Sequence, residues 1–202
     1  MFELLLTADM QARMRHLEAL DAEQRRQGLP AAERYCLVPP QSGRFLALLA
    51  SMAPPGRAVE IGSSVGYSAI WLWLGRRGRG PLETYEQADW KIALAQETFR
   101  LTGLSDEVDL ICGDARQTLP RRDRPDVAFA FLDAWHGDYV AYYETLVSLM
   151  LPGGVITADN VDSHRHELEE FLEHVERDPR VDSVVVPIGK GILFARKKPD
   201  AA

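Results

Sequence analysis

Several features that would settle a protein's class at once are scarce in this sequence. It has only two cysteines, Cys36 and Cys112, far apart and without a CxxC spacing. That excludes a disulfide scaffold and a thiolate metal centre, and it fits a reducing, cytoplasmic setting. No apolar stretch approaches the roughly 20 residues that cross a bilayer; Phe45 to Met52 is the densest and is too short. Met1 to Leu6 is apolar but lacks a basic leader and a small-residue cleavage site, so it reads as a packing or dimer segment, not a signal. Positive charge is not in excess, because 23 Lys and Arg face 30 Asp and Glu for a net charge of −7. A protein that lives on nucleic acid or anionic lipid is thereby disfavoured. Repeats, linkers and low-complexity blocks are missing too, so the 202 residues are expected to form one domain, with residues 1–36 as a helical appendage.

What is present is ordinary globular composition, 46% hydrophobic and 26% charged, which leaves room for a sizeable core. Gly and Pro recur at intervals of about one structural element. Thr7 is placed to cap a helix over Ala8 to Gln27 that stops at Gly28, and a second helix begins after Pro39-Pro40. From Arg57 onward strands and helices alternate. Strands are predicted at Arg57 to Ile61, Leu82 to Tyr85, Glu107 to Cys112, Val127 to Leu132 and Val155 to Ala158. Helices are predicted at Tyr67 to Leu74, Ala88 to Thr102, Tyr139 to Met150 and His164 to Arg177. Two consecutive strands, Val181 to Val186 and Gly191 to Ala195, close the pattern. The fold class is a Rossmann-like α/β doubly wound seven-stranded sheet with a terminal antiparallel strand pair.

The segment Val59-Glu60-Ile61-Gly62-Ser63-Ser64-Val65-Gly66-Tyr67-Ser68 puts a glycine-bounded turn between a strand and a helix, where backbone amides and the helix dipole face a ligand. A dinucleotide site would want glycine at Ser64, so that a pyrophosphate could approach. The same residues spell Gly-x-Ser-x-Gly, the nucleophile elbow of α/β-hydrolases, with Ser64 as nucleophile. That elbow needs an upstream loop for its oxyanion donor, and the residues before Arg57 read as helices. The third reading is an adenosyl site, in which no diphosphate has to be admitted and serine is harmless. Glu60 would be costly if merely buried, and a cationic ligand group would offset that cost. Pairing with Arg57 is the competing account.

These residues resemble the cation-dependent O-methyltransferases of the catechol and caffeoyl-coenzyme A type, within the class I S-adenosylmethionine-dependent superfamily. The likeness runs from Val38 to about Lys198 and rests on Val38-Pro39-Pro40-Gln41-Ser42-Gly43, the glycine turn, Glu86, Gly113-Asp114-Ala115, Leu132-Asp133-Ala134-Trp135-His136 and Ala158-Asp159-Asn160, in that order. By this resemblance Glu60 lies near the methionine end of S-adenosylmethionine. Ser68 and the backbone at Val38 and Gly62 hold its polar groups, and Asp114 and Ala115 border adenine. Glu86 clamps the ribose, a role its place at the end of the second strand also suits.

Asp133, Asp159 and Asn160 each follow an apolar strand, so they converge at the sheet's carboxyl edge as three oxygen ligands for Mg²⁺, with Ca²⁺ or Mn²⁺ as substitutes. The competing account is that Asp159-Asn160 simply forms a turn or cap. Asp133 is also counted with the cofactor and catalytic residues. Where the family usually carries lysine, three residues after the first metal aspartate, this chain has His136. Histidine titrates closest to neutrality of all side chains, so His136 is the candidate base, with metal ligation or a bystander role as alternatives. Trp135 resembles an aromatic gate for a planar substrate, against plain core packing. Lys190 stands in the final turn, where relatives often have aspartate, and is expected to shape the substrate mouth. His164, His166 and His174 are set aside as members of a solvated helix.

The expected activity is methyl transfer to a hydroxyl of a small aromatic vicinal diol by a cytoplasmic homodimer joined through the amino-terminal helix, with no membrane and no nucleic acid partner. Two alternatives stand beside it. One is a methyltransferase for a hydroxylated base in transfer RNA, using Arg76-Arg77-Gly78-Arg79 and Arg121-Arg122-Asp123-Arg124. The other is a non-catalytic S-adenosylmethionine-binding protein.

Overall fold

The strands with the least polar sequences lie in the middle of the sheet, where both faces are covered. All six residues of β4 (Val127–Leu132) are buried. Phe129 and Phe131 point into one apolar layer and Ala130 and Leu132 into the other, as strand periodicity requires. Burying each phenylalanine stabilises the fold by roughly 1.5–3 kcal/mol, which pins β4 as the spine of the molecule. A computed structural model describes residues 5–119 and 125–199.

The chain order is α1 (Ala8–Arg26), α2 (Pro40–Met52), β1 (Arg57–Ile61), α3 (Tyr67–Arg76), β2 (Leu82–Glu86), α4 (Asp89–Thr102), β3 (Val108–Cys112), α5 (Ala115–Thr118), β4, α6 (Tyr139–Leu149), β5 (Met150–Ala158), α7 (Glu169–Glu176), β6 (Val181–Val186) and β7 (Ile192–Lys197). The seven strands form one sheet in the order β3-β2-β1-β4-β5-β7-β6. The pairings among β1 to β5 are parallel, and β7 runs antiparallel to both β5 and β6. The fold class read from the sequence is therefore what the structure has. Strand order reverses between β1 and β4, and the crevice outside their carboxyl ends is where ligands dock in open α/β sheets.

The first helix forms as expected. The Thr7 hydroxyl accepts from the Met10 amide at 3.2 Å, capping the helix. Its apolar face, Met10, Met14 and Leu17, is buried in this chain's own core. Arg13 ties it to α4 through Glu97 at 3.0 Å and Thr98 at 3.1 Å. That face serves the fold itself.

One predicted element is corrected. The helix expected over His164 to Arg177 is confined to α7, and residues 161–167 form turns. Asn160 adopts a left-handed φ of 70°, which an asparagine tolerates and a continuing helix does not. The Lys190 carbonyl then accepts from the amides of Asp162 and Ser163, both at 3.0 Å. The turn's donors are satisfied by the β6–β7 connection, so a helix is not needed to satisfy them. β5 also starts earlier than predicted, at Met150, with a register shift where Pro152-Gly153-Gly154 interrupts its pairing with β4.

Candidate active site

Four strand ends build one acidic rim. The parallel ladder continues past the strands, with the Asp133 amide donating to the Ile61 carbonyl at 2.9 Å and the Asp159 amide to the Leu132 carbonyl at 3.0 Å. β1, β4 and β5 therefore deliver Glu60, Asp133 and Asp159 to neighbouring places. Gly62 has φ 102° and packs so closely that a Cβ there would strike the Asp133 carbonyl. Only glycine fits that join.

Glu60 is wholly buried. One carboxylate oxygen accepts from the Thr84 hydroxyl at 2.5 Å, and the other, Oε1, has no partner. Burial pushes its pKa up to about 7, against the lowering effect of hydrogen bonds from Ser68 and Thr84, and the charge of Glu86 adds to the rise. The alternative partner is ruled out, because Arg57 is committed to Glu83 at 2.5 Å and Asp126 at 2.9 Å. An unpaired oxygen in a buried cradle fits a cationic ammonium group.

Glu86 lies at the end of β2, where it accepts from the amides of Ser64, Gln87 and Ala88 at 2.9–3.0 Å. Its carboxylate is thereby oriented, and with about four acceptor sites it keeps capacity for a hydroxyl. Ser64 has a strained φ of 46°, as a nucleophile elbow would. Its hydroxyl, however, donates to the Tyr35 carbonyl at 2.6 Å and meets no base, which removes support for the hydrolase reading. Val38, Ser68 and Ala115 are buried beside the crevice's elements. Asp114 caps α5 and pairs with Arg116 at 2.7 Å, and Arg116 reaches on to Asp138 at 2.7 Å. Those bonds hold the Asp114 carboxyl below its ordinary pKa.

The three expected metal ligands are brought together. The Asn160 side-chain amide donates to Asp133 Oδ1 at 2.9 Å. Asp159 is fully buried and no side chain donates a hydrogen bond to either of its carboxylate oxygens. Burial raises the pKa of both aspartates; at Asp133 the charge of Asp159 adds to the rise, at both Lys190 opposes it, and at Asp159 the Asn160 backbone amide opposes it too. Asn160 does form a turn, its carbonyl accepting from the His164 amide at 2.8 Å. A turn alone leaves the buried Asp159 carboxylate unexplained. Two carboxylates and an amide carbonyl are the donor set of a hard divalent cation.

Around this rim sit Trp135, His136 and Lys190. Trp135 is 73% exposed, so core packing is not its role. Lys190 bears electrostatically on Asp133 and Asp159, while Gly189 beside it packs against Ser42 and Pro39. His136 is mostly buried, and its Nδ1 lies 2.7 Å from Glu167 Oε2. Its ring lies 4.6 Å from that of His164 and edge-on to Tyr139.

The sequence reading discarded His164 and passed over Glu167 on the premise of a helix. Because residues 161–167 are turns, His164 and Glu167 do not belong to a solvated helix. No sequence signal joins them to His136; only adjacency of β4 and β5 does. Burial and His136 lower the pKa of His164, and the hydrogen bond from His136 lowers that of Glu167. His174 lies elsewhere, paired with Glu144 at 2.6 Å, beside a groove of about 500 Å³ lined by Glu170, Glu173 and Arg180. That groove is lined by residues of α6, α7 and the segment leading to β6, and by none of the glycine turn or of the acidic rim.

Of the three arginines proposed on one side as a phosphate-contact patch for transfer RNA, Arg77 is exposed and the other two are engaged in the fold. Arg76 is 1% exposed and donates to the carbonyls of Ala50, Pro54, Gly56 and Arg79, so it is a structural strut. Arg79 donates to the Ala53 carbonyl at 2.8 Å. The other side, Arg121 to Arg124, lies outside the described residues. Among the described residues no helix is long and apolar enough to cross a membrane.

A parallel sheet of this order with β7 inserted antiparallel, opening at its switch point onto a glycine turn and an acidic rim, is the class I methyltransferase fold. The O-methyltransferase family profile matches residues 14–198, and the chain belongs to that family, as its motifs implied. A catechol O-methyltransferase of Mycobacterium tuberculosis is 35% identical over 121 residues, covering 60% of this chain and 55% of that protein. One of Niastella koreensis is 32% identical over 146 residues, covering 71% and 64%. The match thus spans less than two thirds of either relative's length. An O-methyltransferase from Bacillus cereus, solved in complex with SAH, has a TM-score of 0.76 at 26% identity, over 98% of this chain and 100% of that one.

Proposed function

We propose that this chain is an S-adenosylmethionine-dependent O-methyltransferase whose acceptor is a small aromatic with adjacent hydroxyls, held at a divalent cation, Mg²⁺ in the first instance. The observation that carries the reading is the pairing of two starved buried carboxylates, Glu60 Oε1 and both oxygens of Asp159, on neighbouring strand ends. One suits the donor's ammonium and the other a metal.

In this reading Glu60 holds the methionine ammonium, Ser68 and the Val38 and Gly62 backbone take the remaining polar groups, and Glu86 accepts from the ribose. Asp114 and Ala115 flank the adenine. Asp133, Asp159 and Asn160 would hold the cation, which would supply Lewis-acid chemistry that lowers the pKa of an acceptor hydroxyl. The acceptor oxygen forms the new O–C bond in line as the S–C bond breaks, and its electron pair returns to sulfur to leave S-adenosylhomocysteine. His136 takes the hydroxyl proton on the ring nitrogen not bonded to Glu167, an arrangement in which the carboxylate fixes the tautomer. The Trp135 ring packs on the planar acceptor and Lys190 borders the mouth. Orientation and charge control supply most of the acceleration.

The deciding experiment is calorimetric titration with S-adenosylhomocysteine followed by a vicinal-diol screen with and without EDTA. Binding with EDTA-sensitive turnover is the expected result. Binding without turnover of any diol would leave a non-catalytic binder, and no binding would overturn the cofactor site itself.

A further inference from the structure

The loop after β4 and the turn after β5 bring together three ligand-bearing side chains that are separate from the buried oxygen set. His136 Nδ1 lies 2.7 Å from Glu167 Oε2, the His136 and His164 rings are 4.6 Å apart, and one donor atom from each of the three falls within 4.8 Å of the others. We propose that His136, His164 and Glu167 form a second cation site, selective for a borderline transition ion such as Zn²⁺.

The donor chemistry separates it from its neighbour. Two imidazoles and one carboxylate suit Zn²⁺, Co²⁺ or Ni²⁺, whereas the all-oxygen set of Asp133, Asp159 and Asn160 suits Mg²⁺. Two of the ligands come from one turn, closed by the Glu167 amide donating to the His164 carbonyl at 3.0 Å, and the third from the facing loop. A tetrahedral ion with bonds of about 2.0–2.1 Å holds its donors roughly 3.3 Å apart. The close pair must therefore open slightly and the far pair draw in. Glu167 is exposed and sits on a turn, so side-chain rotation can supply this. The fourth position is open to water or to an acceptor oxygen. An ion held at Nδ1 clips the two loops together and leaves the proton of the neutral imidazole on Nε2, so His136 can no longer accept a proton there.

The site does not depend on the activity proposed above, and it is tested with neither nucleoside nor diol present. The metal-free 202-residue chain is titrated with Co²⁺ in excess Mg²⁺, which fills the oxygen site, while visible absorption is followed. One equivalent giving the intense absorption of four-coordinate Co²⁺, abolished by one equivalent of Zn²⁺, is expected. Glu167→Gln and His164→Ala should each weaken binding by at least about tenfold, the loss of one ligand, while Asp159→Asn, which bears on His136 only through its charge, should weaken it less and keep the four-coordinate absorption. Circular dichroism checks each variant's fold, and the exposed Glu167→Gln decides should His164→Ala not fold. Only weak six-coordinate absorption, retention of the signal in folded Glu167→Gln, or its loss in Asp159→Asn would overturn the site.

Discussion

Two groups of acids stand on this molecule, and their surroundings are opposite. Between α6, α7 and β6, Asp178 accepts from the Tyr143 hydroxyl at 2.7 Å and from Arg180, and Glu144 is shared by Arg180 and His174. The bonds from Arg180 and Tyr143 outweigh burial and hold Asp178 at a pKa of about 2, and Glu144 is lowered too. At the carboxyl ends of β1, β4 and β5, Glu60 and Asp159 keep unpaired oxygens, and burial drives their pKa values upward. Satisfied acids hold elements together. Starved acids lower stability and persist where a ligand completes them.

The contrast is tested most severely at Asp159. Asp159→Asn is expected to lower kcat/KM for a vicinal diol on the order of 10³-fold, since metal charge stabilisation is worth several kcal/mol. A variant within tenfold of the parent would remove Asp159 from the metal set. Glu60→Gln comes next. It should weaken S-adenosylhomocysteine binding by roughly 10²-fold, the cost of leaving a buried charge unpaired, and yet raise the melting temperature of the ligand-free protein at pH 8. His136→Ala should reduce kcat by about 10²-fold, within the range for a general base, with little change in donor affinity. The smallest activity effect is expected in the other cluster. Asp178→Asn should leave kcat/KM unchanged and destabilise the fold by roughly 1–3 kcal/mol, as loss of a buried hydrogen-bond partner does, read by urea denaturation.

The pH dependence has opposite signs in the two regions. The folded pKa of Glu60, about 7, exceeds its ordinary 4.5, so between those values the native state binds more protons than the unfolded chain. Its contribution therefore makes stability fall as pH rises from about 4.5 to 7. Asp178 lies below its ordinary 3.8, so its stabilisation is present above that value and is lost as pH falls toward 2. Cofactor affinity should drop by up to about tenfold per pH unit below 7 as Glu60 takes up its proton. A flat affinity profile in the parent, or a slope retained in Glu60→Gln, would detach Glu60 from the ammonium.

Much of this was legible in the residues. The run Val127 to Leu132 could only be a doubly covered strand, and the consecutive strands at the end announced the antiparallel pair. Glu60, Asp133 and Asp159 each stand at a strand's end, so the topology alone gathers them. The turn at residues 161–167 was not legible. Its acidic, helix-prone composition favours a helix locally, and the bonds that override it come from Lys190, almost thirty residues on. The fate of Arg76 was equally hidden, since a guanidinium in an Arg-rich stretch gives no sign that four backbone carbonyls will enclose it.

By itself the sequence determined the order of elements, the glycine turn and the acids at the strand ends, because these follow from local periodicity and from what each residue type can do beside its chain neighbours. Only the tertiary structure decided which acids are paired and which are left wanting, and that His136, His164 and Glu167 meet. Desolvation and side-chain pairing depend on groups distant in the chain, and those distances are set by packing.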